Sequence, residues 1–167
     1  MDEEELDRCI NRMGEEAQRR YLGCRCIDRI PDVMKPGQFV IVNTLTSNET
    51  DGKHGQTNGH WTVLFYGENC RGEGSMCFFD SFGNLPQNMN FVRKCLKFVE
   101  YISYNNICLQ NIFSNSCPKH VIFVIYHWLQ GLSISSILTT KYDVFTEEST
   151  KNDKIVEKKT AYRPLLP

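Results

Sequence analysis

The chain has 167 residues and a formal net charge of −1: long enough for one domain with a sizeable core, and too near neutral for global charge to support nucleic-acid binding. Hydrophobic residues make up 41% and aromatics 11%, which excludes a disordered chain. The longest apolar run, Val121 to Leu129, falls far short of the roughly 20 residues that a membrane-crossing helix needs.

In chain order, Met1-Asp2-Glu3-Glu4-Glu5 is acidic and lacks the basic start and apolar core of a secretory signal. An intracellular protein that is not secreted is expected. Residues 3–20 read as a helix, with Leu6, Ile10 and Met13 on one stripe and Gly14 weakening its middle or ending a turn. Tyr21 to Pro31 turns the chain. Cys24-Arg25-Cys26 is the closest cysteine pair; its spacing suits zinc poorly, so no metal is expected. Gln38 to Asn43 reads as a buried strand, His60 to Tyr66 as a second and Met76 to Asp80 as a third, separated by the glycine-bearing stretches 46–59 and 67–74. Asn90 to Ser103 has helical spacing through Phe91, Cys95, Phe98 and Ile102, and Ile107 to Gln110 is a short strand candidate.

Val121 to Ile125 is β-branched and apolar, which favours a strand by propensity. Pro118 near its start and Gly131 beyond its end are helix start and stop signals. A helix buried on all sides is therefore expected from Pro118 to Gln130. A last helix is expected from about Asn152, with Asn152 or Asp153 as its cap. The arginines between Arg8 and Arg29 and the lysines between Lys151 and Lys159 read as solvated helix faces. The layout is an α+β domain over 1–167, with a central, mostly antiparallel sheet packed against a buried helix that starts at Cys117.

Cys117 stands where that helix begins. A thiol attacks a carbonyl as thiolate, and an unperturbed cysteine ionises near pH 8.5, so it needs help near neutrality. The helix N-terminus is one source of help, and a neighbouring imidazole is another. His60 sits where a glycine-bearing loop enters a strand, and Asp80 closes the next strand. If these strands pair antiparallel, His60 and Asp80 meet at one end, where the acid orients the imidazole. Gln110 and the Cys117 N–H are the candidate oxyanion donors. Among the other histidines, His120 is the rival base, three residues beyond Cys117, and His127 reads as packed or hydrogen-bonded.

Four motifs recur in order: Gly59-His60-Trp61, then Phe79-Asp80-Ser81-Phe82-Gly83, then Gln110, then Cys117 seven residues later. With Tyr21-Leu22-Gly23, Asp28-Arg29-Ile30-Pro31 and Val40 to Thr44 upstream, and Asn152-Asp153-Lys154 downstream, the chain resembles the adenovirus-type cysteine proteases (adenain) and their relatives in polinton-like transposons and viruses. The resemblance implies a cysteine endopeptidase with Cys117 as nucleophile, His60 as base, Asp80 as orienting acid and Gln110 as oxyanion donor, with Trp61 walling the cleft. It implies polypeptide substrates, namely viral or capsid precursor proteins cut after Gly-rich small-residue sites during particle maturation, and a monomeric enzyme in the host nucleus or virion. A protease for SUMO or ubiquitin-like proteins, and an inactive relative that binds peptides, are the alternatives. The sequence requires no cofactor. The resemblance brings an activating peptide and DNA; the near-neutral charge and the lack of a matching cysteine for the peptide count against both. Pro118 stands where relatives have glycine.

Overall fold

The computed structural model describes residues 1–49, 59–67, 75–86, 99, 101–144 and 149–161. The N-terminal helix is broken in two. Helix α1 (Glu3–Asn11) opens on a capping box in which the Asp2 side chain accepts from the Glu5 N–H and the Glu5 side chain accepts from the Asp2 N–H. Gly14 follows at φ +101°, and α2 (Glu15–Arg20) restarts the helix. Leu6 and Ile10 of the expected stripe are fully buried, and Met13 packs at the edge of the same core.

The segment after α2 is a strand, β1 (Tyr21–Cys26), and not the turn expected from sequence. Its register shifts between Tyr21 and Cys24, with Gly23 at φ +88°. The irregularity erases the apolar alternation that would have revealed it. After a single 3₁₀ turn at Ile27–Arg29 come β2 (Phe39–Asn43), β3 (Trp61–Tyr66), β4 (Ser75–Phe79) and β5 (Tyr101–Tyr104). The sheet order is β1-β2-β3-β4-β5. The two central pairs are antiparallel and each outer pair is parallel.

Both faces of the sheet are covered, so β2 and β4 are buried throughout. On one face Phe39, Ile41, Trp61, Val63, Phe65, Cys77 and Phe79 meet the helices; on the other Val40, Val42, Leu64, Met76 and Phe78 meet Ile30, Met34 and Val99. The helix layer is dominated by α3 (Cys117–Leu129), whose Val121 to Ile125 and Trp128 are buried. The helix reading of this run holds. Two elements follow: α4 (Ile134–Lys141), absent from the sequence expectation, and α5 (Ser149–Ala161).

Three further expectations change. The helical spacing read over 90–103 ends in a strand, since Tyr101 to Tyr104 pairs with Ser75 to Phe78; residues 87–98, with Cys95, lie outside the described segments, as do His54 and Cys70. Ile107 to Gln110 is irregular, because its N–H groups at Leu109 and Gln110 both go to the Ser81 carbonyl and not to a ladder. Asn152 and Asp153 lie inside α5, not at its cap, and both are buried.

Gly59 shows how tightly the β2–β3 end is built. A Cβ there would fall 1.9 Å from Asn43 Oδ1, which already accepts the Leu45 N–H. Gly59→Ala is expected to cost about 1–3 kcal/mol in denaturant unfolding. Asn43→Ala in the same chain is expected to recover part of that loss, a non-additivity that a double-mutant cycle reads directly.

Candidate active site

Antiparallel pairing sets the first contact. Val63 lies opposite Phe79, so the residue just before β3 and the residue just after β4 emerge at the same sheet end. These are His60 and Asp80. The His60 backbone is fixed by Thr44, whose hydroxyl accepts the His60 N–H and whose N–H donates to the His60 carbonyl. Its ring stacks on Phe82 with centroids 4.6 Å apart.

Asp80 is 2% exposed, and a carboxylate this deep must be paired. Its Oδ1 lies 2.6 Å from His60 Nε2 and also accepts the Phe82 N–H at 2.8 Å. The second contact is an Asx turn, so one carboxylate oxygen both closes the local turn and meets the histidine ring. Asn105 brackets the same residue: its Oδ1 accepts the Asp80 N–H, and its Nδ2 donates to the Asp80 carbonyl. Gly83 completes the turn at φ +71°, where a Cβ would lie 2.7 Å from the Ile107 backbone.

With Nε2 held by Asp80, the other ring nitrogen is left for chemistry. Nδ1 is buried and has no hydrogen-bond partner, and besides Asp80 the Cys117 thiol acts on the ring. Burial pulls the proton affinity of His60 down, but the Asp80 hydrogen bond and then the Cys117 thiol outweigh it and push the pKa up to about 9.

Cys117 is the first residue of α3, with Pro118 in the same turn. Proline carries no N–H. The Lys119 and His120 N–H groups both return to the Ser116 carbonyl. Among the described residues the Cys117 N–H donates to none, so it is the one donor of that first turn still open. Pro118 thus concentrates the turn's donor capacity at the cysteine.

Gln110 is 1% exposed. Its Oε1 accepts from Ser81 Oγ at 2.6 Å and its Nε2 donates to the Ser114 carbonyl at 2.8 Å. An amide carries two hydrogens, so one remains. The structure brings His60 and Asp80 into contact, sets Cys117 within reach of the ring, and ties Gln110 to the residue after Asp80. His120, the rival base, is turned away: it is fully buried and bonded to Asp153 and Tyr142. Trp61 is 4% exposed and packs in the core that includes Cys117. Sequence reasoning missed Asn105, Ser81 and Ser116. Ser81 stands inside the Phe79 to Gly83 motif but carried no role there; Asn105 left no local signal.

No protein-family profile matches the chain, and no curated protein is similar to it in sequence. Among solved structures, the crystal structure of the ASFV pS273R protease matches it with a TM-score of 0.50 at 16% identity, over 88% of this chain and 61% of that one. The two chains share a fold. This chain therefore spans about 61% of the length of the ASFV protease, and that fold is the expected α+β arrangement of a sheet against a buried helix.

The raised proton affinity of His60 predicts a pH-dependent stability. A group whose folded pKa lies above its unfolded value, here about 9 against roughly 6.5, stabilises the fold fully below the unfolded value and loses that contribution as pH rises through the folded one. The melting-temperature gap between the native chain and His60→Gln is expected to be widest below about pH 6.5 and to narrow up to about pH 9. A gap constant over that range contradicts the assignment.

Proposed function

We propose that the chain is a cysteine endopeptidase that uses Cys117 as nucleophile. The observation that carries this reading is the buried Asp80–His60 pair whose unpartnered Nδ1 is left for a cysteine at a helix start. The Cys117–His60 pair shares one proton; with that proton on His60 Nδ1, Sγ attacks the substrate carbonyl carbon. The imidazolium that results keeps its Nε2 hydrogen bond to Asp80. Charge gathers on the former carbonyl oxygen, where the Cys117 N–H and the second Gln110 hydrogen are the available donors. The C–N bond breaks, and His60 protonates the departing amine. Water then attacks the thioester with His60 as base and releases the acid and the free thiol.

Small residues before the cut, Gly above all, and viral or element-encoded precursor proteins as substrates follow from the likeness of the motifs to adenain-type enzymes. The shared fold of the ASFV protease supports the reading at the level of a peptidase.

The thiols themselves provide a test. Cys108 is exposed and Cys117 is buried, so exposure alone would make Cys108 the faster to alkylate. Iodoacetamide at pH 7, with the labelled site mapped by mass spectrometry, is expected to modify Cys117 first, and His60→Ala to abolish that preference. Equal or slower labelling of Cys117 refutes the nucleophile and leaves a peptide-binding relative.

Turnover adds a second measurement. With a fluorogenic Gly-Gly peptide as substrate, Asp80→Ala is expected to lower kcat on the order of 10²–10⁴-fold. Gln110→Ala is expected to lower it on the order of 10²–10³-fold while Cys117 alkylation persists, because alkylation builds no oxyanion.

A further inference from the structure

A second buried carboxylate takes no part in the steps above. Asp153, in α5, is 8% exposed. Its Oδ1 accepts from Ser116 Oγ at 2.6 Å and from His120 Nε2 at 2.8 Å, and its Oδ2 accepts the Asn111 N–H at 3.2 Å. Since Nε2 donates, His120 Nδ1 is the acceptor for the Tyr142 hydroxyl 3.2 Å away. Asn111 and Ser116 are the two ends of the loop that leads from Gln110 to Cys117. Within it the Ser114 N–H donates to the Asn111 carbonyl, the Phe113 N–H to Asn111 Oδ1, and Gln110 Nε2 to the Ser114 carbonyl. Asn111 Nδ2 adds a bond to Thr150 on α5.

One carboxylate therefore grips both ends of the loop whose flanks are the two oxyanion donors. We propose that Asp153 is a positioning residue: by clamping Asn111 and Ser116 it holds the Gln110 amide and the Cys117 N–H at the spacing the oxyanion requires. This rests on the protease reading. Its leverage comes from geometry, since a shift of about 1 Å at a reacting centre costs on the order of a hundredfold in rate.

The geometry also separates Asp153 from the Cys117–His60 pair, because its partners are the loop and His120. Asp153→Asn keeps the volume but offers only one acceptor oxygen, so it cannot serve Ser116, His120 and Asn111 together. Ser116→Ala frees one loop end and leaves the His120 contact. For both full-length variants, three measurements apply: amide hydrogen exchange over 111–117, iodoacetamide labelling of Cys117, and steady-state cleavage of the Gly-Gly fluorogenic peptide. Faster exchange is expected, with kcat lowered about tenfold to a hundredfold, and with KM and the labelling rate within about threefold of the native chain.

Native kcat in both variants overturns the proposal. So does a labelling rate that falls in step with kcat, since the defect would then lie in the Cys117–His60 pair. Should Asp153→Asn fail to fold, Ser116→Ala decides alone. A native chain that is labelled at Cys117 but never cleaves the peptide refutes the protease reading instead, and unchanged exchange in the variants then still overturns the clamp.

Discussion

A carboxylate removed from water has to find donors, and the candidate site is organised around where Asp80 finds them. One oxygen takes both the His60 ring and the Phe82 N–H. The first contact requires β3 and β4 to end together, which their antiparallel register supplies. The second requires the chain to turn at once after β4, and Asn105 and Gly83 hold that turn. Ser81, the next residue, carries the order onward. Its carbonyl accepts the N–H groups of Leu109 and Gln110, and its hydroxyl donates to the Gln110 side chain. A continuous run of hydrogen bonds thus leads from the sheet end through Gln110 and Ser114 to Ser116 and α5.

The run joins two aspartate–histidine pairs of similar length and opposite consequence. His60 gains proton affinity while His120 loses it. Burial opposes the charged ring in both, and a carboxylate favours it in both. His60 keeps some exposure and has the Cys117 thiol beside it. His120 has none, and the nearby His60 charge adds to the penalty. Asp153 meanwhile is held below the ordinary carboxylate range: burial would raise it, but hydrogen bonds from Ser116, His120, Ser114 and the Asn111 N–H outweigh that. One pair is suited to moving a proton, the other to keeping a shape.

Much of this is legible in the sequence. The runs that became β2, β3 and β4 are buried on both faces and read as apolar, and Pro118 with Gly131 resolved the helical identity of the β-branched run between them. The order of His60, Asp80, Gln110 and Cys117 marked the residues that the fold gathers. What escaped was set by tertiary contact. β1 is bulged, and β5 exists because β4 offers it an edge, whatever helical spacing precedes it. Helix α4 carried a usable sign, Ser133 capping the Ser136 N–H with Ile134 and Ile137 buried behind it, hidden in a run of small polar residues. Asp153 reads as a helix cap until the fold lays it against a loop nearly forty residues earlier in the chain.

The same clamped loop carries Ile112 and Phe113, which are 69% and 92% exposed. Their backbone is tied by Asn111, Ser114 and Gln110, yet their side chains support nothing in the core. Solvent-facing side chains and the hydrogen-bonded frame thus share one short ribbon but not the same atoms. Side-chain changes at 112 and 113 therefore leave the hydrogen bonds of Asn111, Ser114 and Gln110 in place, so the exposed and the internal parts of this loop can vary independently.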